Sequence, residues 1–250
     1  VVESTERPVK AERTFRVFET PQERFTTGRR FIRGFVLPAA CFLLRVRVTV
    51  HDMERYLPKT SPAIVIMNHS GGIDPLILMM TIKPRFLQTM TKIENYDLPI
   101  FSQFMRLWGA YPVLRGEVDR RALDFTLKLL EQGHLALIAP EGTRQPAMIE
   151  AKDGLAYLAV KAGVPIVPVG LGGTRSFFPN LKRLKRTEVI VRFGQPFRLK
   201  TGGKTRVGRE TLSQMTRETM YQLARLVPPT QRGVYADLSQ ATTATLEFIE

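Results

Sequence analysis

Residues 63–80 read Ala63-Ile64-Val65-Ile66-Met67-Asn68-His69-Ser70-Gly71-Gly72-Ile73-Asp74-Pro75-Leu76-Ile77-Leu78-Met79-Met80. The first five are apolar without alternation, the pattern of a strand buried on both faces. The last six, opened by a proline, read as a helix. His69 therefore lies at the C-terminal end of a strand, where open α/β sheets place their ligands. His69 and Asp74 are five positions apart. On one regular helix they would point roughly 140° apart and never meet. Gly71 and Gly72 free the chain to double back, because glycine reaches positive φ. The Asp74 carboxylate can then accept the imidazole Nδ1–H and leave Nε2 as a base. The competing structural reading makes Asp74 the N-cap of a helix with Pro75 at N1.

Working outward, a second apolar run, Gly133 to Ala139, ends in Pro140-Glu141-Gly142-Thr143-Arg144. Backbone N–H groups, a hydroxyl and a guanidinium at a strand end form a cradle for phosphate, since Arg binds phosphate in a bidentate fork. Glu141 would repel a phosphate. It is expected to orient Arg144 or to accept a hydrogen bond from a substrate hydroxyl. The competing reading is a surface Glu–Arg pair on a turn. Trp108 to Arg115 reads as a short strand ending in a second cation, followed by a helical stretch from Val118 to Leu130. Val164-Pro165-Ile166-Val167-Pro168-Val169-Gly170-Leu171 reads as a strand whose prolines limit its hydrogen bonding. The histidines are His51, His69 and His134, with one Cys, and none has metal-site spacing. No Gly-x-Ser-x-Gly elbow makes Ser70 a nucleophile.

In this order and spacing the blocks resemble the glycerolipid acyltransferase family, which includes the lysophosphatidic acid acyltransferases. Its Asn-His-x4-Asp block is matched by Asn68, His69 and Asp74, and its Gly-x5-Arg block by Gly109 and Arg115. Pro-Glu-Gly-Thr-Arg is matched in full by residues 140 to 144. The Val-Pro-Ile-Val-Pro-Val strand is matched by residues 164 to 169. Lys92, Glu94 and Pro99 fit a Lys-x-Glu and Pro that the family often carries. Ala139 and Gln145 stand where the family often has Phe and Ser. The resemblance covers roughly residues 42 to 200. It implies transfer of a fatty acyl group from a thioester, acyl-CoA or acyl carrier protein (acyl-ACP), to the hydroxyl of a lysophospholipid such as 1-acylglycerol-3-phosphate. His69 is then the base and Asp74 its orienting partner. Arg144, Arg115 and Lys92 hold the acceptor phosphate, with Glu141, Gly142 and Thr143 shaping the cradle. No metal and no cofactor beyond the acyl co-substrate is implied. Glycerol-3-phosphate as acceptor, a hydrolase using the same His–Asp pair, and a non-catalytic basic membrane-binding module are the rival readings.

The chain has 250 residues, 44% of them hydrophobic, which is ordinary for a globular protein. Strands alternating with helical stretches argue an α/β fold: a central mixed, largely parallel sheet flanked by helices, with an N-terminal membrane-interfacial helical region. A net charge of +14 asks for an anionic partner. Basic residues gather in an N-terminal group (Arg24, Arg29, Arg30, Arg33, Arg45, Arg47) and in a group from Lys182 to Arg209. The aromatics lie within apolar runs and not beside the cations, which argues against nucleic acid. The favoured partner is an anionic phospholipid surface. Gly34 to Leu44 is uncharged, but eleven residues with Pro38 inside fall short of the roughly 20 needed to span a bilayer. Flanked by Arg33 and Arg45, this segment reads as interfacial, its arginines reaching headgroups. No secretory signal is recognisable. Single Cys41 fits a reducing compartment; with the resemblance, it puts the protein on the cytoplasmic face of a membrane. The expected layout is a polar tail at 1–20, the interfacial region at 21–45, a catalytic domain at 46–200, and a C-terminal helix and tail at 201–250.

Overall fold

A computed structural model describes residues 15–114 and 119–249. Nine strands form one sheet: β1 Val46–His51, β2 Ala63–Met67, β3 Leu87–Lys92, β4 Tyr111–Val113, β5 Leu135–Ile138, β6 Ile166–Gly172, β7 Thr187–Phe193, β8 Phe197–Leu199 and β9 Leu246–Phe248. Their order is β1-β7-β6-β2-β5-β3-β4, with β8 joined to β6 and β9 to β8. The pairings β1–β7, β6–β2, β2–β5, β5–β3 and β3–β4 are parallel. Those of β6 with β7 and β8, and of β8 with β9, are antiparallel. The sheet is thus mixed and largely parallel. Among the described residues, the α-helices of six residues or more are α1 Thr26–Phe31, α2 Leu37–Leu43, α3 Asp74–Thr81, α4 Pro99–Trp108, α5 Arg120–Glu131, α6 Gly154–Ala162, α7 Phe177–Lys182 and α8 Arg209–Ala224.

β2 sits in the middle because every residue in it is apolar, and every one is buried. Side chains alternate across a strand, so β2 feeds two cores. Ile64 and Ile66 pack with α5, α6 and α8. Ala63, Val65 and Met67 pack on the other face with α3 and β7. Asp119 caps α5, accepting from Ala122 N at 3.0 Å. Trp108 to Ala110 is not strand: Trp108 closes α4 and Gly109 stops it in the left-handed conformation.

α1 and α2 are joined by a π-helical turn at Ile32–Val36. One side of this rod, Ile32 and Leu37, is buried against Met79, Met105 and Trp108. The other side is exposed, with Phe31 at 56%, Phe35 at 66% and Phe42 at 83%. Two of the expected headgroup arginines are used internally. Arg29 is buried, donating to Trp108 O, Gln22 Oε1 and Gln88 Oε1. Arg33 donates to the carbonyls of Ile82, Pro84 and Arg85 and lies 4.1 Å from the Phe86 ring centroid. No helix among the described residues is long and apolar enough to cross a membrane. Within the stretch read as a polar tail, Val17 is buried beside Tyr111 and Leu129, and Phe18 meets Phe125 edge-on at 4.9 Å.

The C-terminal segment closes the sheet. Glu218 on α8 is buried and receives Thr242 Oγ1 (2.6 Å), Thr245 Oγ1 (2.6 Å), Thr245 N (2.8 Å) and Ala244 N (3.2 Å). These bonds hold its carboxyl below the ordinary carboxylate range despite burial, which acts the other way. A depressed folded-state pKa stabilises the fold above the unfolded value and loses that effect as pH falls through it. Glu218→Ala strands these four donors and Gln214 Nε2, which also donates to Oε1 at 3.2 Å, and should cost about 2 kcal/mol at neutral pH, with a shallower loss of stability towards acid. Denaturant titrations of both proteins at neutral and acid pH check this, and matching curves would refute it.

Candidate active site

β2 delivers Asn68 and His69 to the C-terminal end of the sheet. The Asn68 side chain continues the ladder to β6: Nδ2 donates to Leu171 O (3.0 Å) and Oδ1 accepts from Leu171 N (2.8 Å). The turn that follows brings His69 Nδ1 to 2.9 Å from Asp74 Oδ2. That oxygen also accepts Gly71 N–H at 2.7 Å. Asp74 is fully buried in the first turn of α3, where Ile73 holds the N-cap position, and its Oδ1 bonds no helix N–H. Its carboxylate looks back at the turn, which decides between the two readings of this residue. With Nδ1–H donated to Asp74, Nε2 is the free nitrogen, and His69 lines a cleft of about 390 Å³.

The two glycines serve a different purpose from the one expected. Neither has a left-handed φ. A Cβ on Gly71 would lie 2.6 Å from Thr174 Cβ, and one on Gly72 would lie 2.8 Å from the Phe178 ring. They are glycines because neighbouring elements press on the turn. The left-handed glycine of the site is Gly142, at φ 68°.

The Pro140–Arg144 turn lies beside His69 and is bonded to its backbone on both sides. Gln145 N donates to His69 O at 2.9 Å. The buried Glu141 carboxylate accepts backbone N–H bonds from His69 and Ile149. Glu141 does not pair with Arg144, and its Oε1 has no partner. The expected Glu141–Arg144 contact is corrected by this burial: Glu141 points into the protein while Arg144 points out. Thr143 and Arg144 line the cleft, as does Lys92 at the end of β3. Among the described residues, no acidic side chain engages Arg144 or Lys92. The cleft therefore carries two uncompensated cations near the imidazole. Arg115 lies outside the described residues.

One side of the remaining wall is apolar, made by Leu76, Met79, Leu98, Phe101, Met105 and Phe178, while Thr89, Thr91 and Asn95 add polar groups. Sequence reasoning missed these residues, since apolar positions on helices look like core. The basic groups also divide. β7 runs antiparallel to β6, so Arg183, Lys185 and Arg186, just before β7, stand at the cleft end of the sheet. Arg45 stands there too, its carbonyl accepting from Thr187 N. Arg198 and Lys200 lie at the opposite end, where β8 runs away from its pairing with Ile166. They cannot share one surface with the cleft mouth, as grouping them in sequence had implied.

Burial raises the Glu141 carboxyl from the ordinary 4.5 to about 7, aided by the nearby Asp74 charge and opposed by the two backbone bonds. A raised acid pKa means that the folded state keeps a proton which the unfolded chain releases. Stability should fall as pH rises from about 4.5 to about 7. Glu141→Gln should remove that part of the slope. Urea unfolding at the two ends of this window tests it, and equal slopes in both proteins would overturn the assignment.

The family described as Acyltransferase matches residues 47–172, half of the chain. The chain is similar to the 1-acyl-sn-glycerol-3-phosphate acyltransferase of Bacillus subtilis (strain 168), 29% identical over 153 residues, covering 61% of this chain and 75% of that protein. It is 34% identical over 142 residues to a 1-acyl-sn-glycerol-3-phosphate acyltransferase of Chlamydomonas reinhardtii, covering 54% and 42%. It is 29% identical over 163 residues to the human 1-acyl-sn-glycerol-3-phosphate acyltransferase beta, covering 63% and 58%. The match thus spans less than two thirds of the algal and human proteins. The crystal structure of the 1-acyl-sn-glycerophosphate acyltransferase of Thermotoga maritima superposes with a TM-score of 0.60 at 22% identity, covering 85% of this chain and 84% of that one, which shows a shared fold.

Proposed function

Because this chain belongs to the acyltransferase family, we propose that it moves a fatty acyl group from a thioester, acyl-CoA or acyl-ACP, to the hydroxyl of a lysophospholipid. The favoured acceptor is 1-acylglycerol-3-phosphate, which would give phosphatidic acid. The observation that carries this reading is the cleft, where an oriented imidazole, two unpaired cations and an apolar wall meet.

His69 Nε2 takes the proton of the acceptor hydroxyl as its oxygen attacks the thioester carbonyl carbon. The tetrahedral intermediate collapses, the C–S bond breaks, and the departing thiolate takes the proton back from the imidazolium. Asp74 fixes the tautomer and stabilises the imidazolium. Arg144 and Lys92 bind the acceptor phosphate, joined by Arg115 in the family motif. Gly142 and Thr143 shape the turn that presents Arg144. The apolar wall takes an acyl chain. A hydrolase would use the same pair on water, but it has no need of two cations placed for an acceptor anion.

His69→Ala should lower turnover about 10²–10⁴-fold, the range for loss of a general base. Its melting temperature should fall, because the buried Asp74 carboxylate loses its imidazole partner and keeps only Gly71 N–H, so turnover is compared at a temperature where the variant is folded. The assay incubates purified protein with acyl donors and 1-acylglycerol-3-phosphate and identifies products by mass spectrometry. A folded His69→Ala protein with near-normal transfer refutes the mechanism. Free fatty acid as the sole product refutes the transferase reading.

The lipid acceptor also implies a bilayer. We propose that Phe31, Phe35 and Phe42 enter the interface on the cytoplasmic face of a membrane while Arg45, Arg183, Lys185 and Arg186 meet headgroups. Each such cation near an anionic surface contributes about 1 kcal/mol. Leu37 is not part of this surface, being buried in the core. High salt should release the protein from anionic vesicles only in part, because apolar insertion is unscreened. Replacing all three phenylalanines with serine should release most of the rest in a flotation assay. Failure of the wild type to float at low salt would refute the interfacial role.

A further inference from the structure

The segment that follows α8 is wrapped around the loop that carries Arg144. Met148 lies four residues beyond Arg144 and is buried. Its N–H donates to Gln231 O at 2.8 Å, and its carbonyl accepts from Val234 N at 3.1 Å. Both backbone groups of one loop residue are therefore satisfied by the C-terminal segment. Gly233 sits between those two bonds in the left-handed region, φ 50°. A Cβ there would fall on the Met148 carbonyl oxygen, far inside van der Waals contact, with Met148 C and N each at 2.9 Å. Tyr235 adds its hydroxyl, which accepts from Ala151 N at 3.4 Å, and its ring packs edge-on against Tyr221 at 5.2 Å. Gln231 also reaches the other motif, its Oε1 accepting from Asn68 Nδ2 at 3.4 Å. Gln231, Gly233, Val234 and Tyr235 lie beyond the family match, which ends at residue 172.

We propose that Gln231 to Tyr235 is a positioning element for the anion-binding loop, setting where Arg144 stands and hence how strongly the enzyme prefers an acceptor that carries phosphate. The physical basis is the accounting of buried backbone groups: an N–H or carbonyl without a partner is costly, so the loop adopts the path that keeps both Met148 bonds. That path fixes the chain four residues beyond Arg144, and the Gln145–His69 bond fixes the residue directly after it. A segment far away in sequence thereby controls the reach of a guanidinium that it never touches. A shift of about 1 Å in a binding group is enough to change rates substantially.

The proposal rests on Arg144 as the acceptor-phosphate ligand, and its test separates the two claims. The measured quantity is the ratio of kcat/KM for 1-acylglycerol-3-phosphate to that for the phosphate-free 1-acylglycerol. Arg144→Lys keeps charge but loses the fork and should lower the ratio about tenfold or more. Gly233→Ala in the full chain should also lower it, by about fivefold, through a raised KM for the phosphate-bearing acceptor. Tyr235→Phe keeps the ring packing and should lower it about twofold, which provides a folded test protein if Gly233→Ala does not fold. A purely structural role would lower both kcat/KM values together and leave the ratio unchanged. If Arg144→Lys lowers the ratio while both C-terminal variants leave it unchanged, the positioning role is overturned. If Arg144→Lys itself leaves the ratio unchanged, the phosphate assignment fails and this proposal falls with it.

Discussion

The structure depends on one buried carboxylate. Asp74 has lost contact with solvent entirely, and a buried charge is tolerated only when it is paired and hydrogen-bonded. One oxygen meets both requirements at once by taking His69 Nδ1 and Gly71 N–H. This demands a turn that folds back within five residues, with its tip under Thr174 and Phe178, and with Asn68 bonded to β6 so that β2 ends in the right place. The crowding that excludes a side chain at Gly71 and Gly72 follows from the same demand. A helix cap would have left Asp74 half in water. The bond to His69 instead moves it under the sheet and makes the imidazole a fixed object.

That fixed object also organises its surroundings through its main chain. The amide of His69 goes to Glu141 and its carbonyl receives Gln145 N–H. Two motifs more than seventy positions apart in sequence thus meet on the backbone of one residue. The imidazole and the guanidinium of Arg144 are not independently placed, because the His69 backbone is bonded to Glu141 and Gln145, which lie on either side of Arg144 in the chain. Such coupling is a form of preorganisation. Polar groups buried between the motifs, rather than contacts with a ligand, set the distance between the imidazole and the guanidinium.

Much of this was legible in the sequence, and the exceptions have physical causes. β2, β5, β6 and α3 were readable because uninterrupted apolar runs bounded by Gly, Pro or Asp have few other meanings. Trp108 to Ala110 was misread because Gly109 is a helix stop, and Trp-Gly-Ala carries no periodicity that separates a stop from a strand. Gly71 and Gly72 advertised conformational freedom, whereas the fold uses their small size; the distinction lies in Thr174 and Phe178, about a hundred positions away. Glu141 looked like a surface partner of Arg144 because the two are close in sequence, and only tertiary packing turns one inward. Arg29 and Arg33 counted towards a basic surface by composition, yet both are spent on carbonyls and amides inside. The apolar wall of the cleft was invisible because Met and Phe on amphipathic helices look the same whether they face a core or a substrate. The role of Gln231 to Tyr235 had no local signal at all.

Arg29 has a mechanical consequence. It is a buried cation whose hydrogen-bond acceptors are all neutral, with the Glu23 charge nearby, and it grips the end of α4 through Trp108, the strand β3 through Gln88, and the chain entering α1 through Gln22. Burial pulls its pKa down to about 10, still well above neutrality, so the guanidinium keeps its charge. Lifting α1 away would strand that charge in an apolar gap, so the helix has no soft hinge at its root. It behaves as a keel rather than a tether. A surface pressed against Phe31 and Phe35 pushes directly on the strand that ends in Lys92. On the proposed interfacial reading, the angle at which the molecule would meet such a surface is therefore set by its interior.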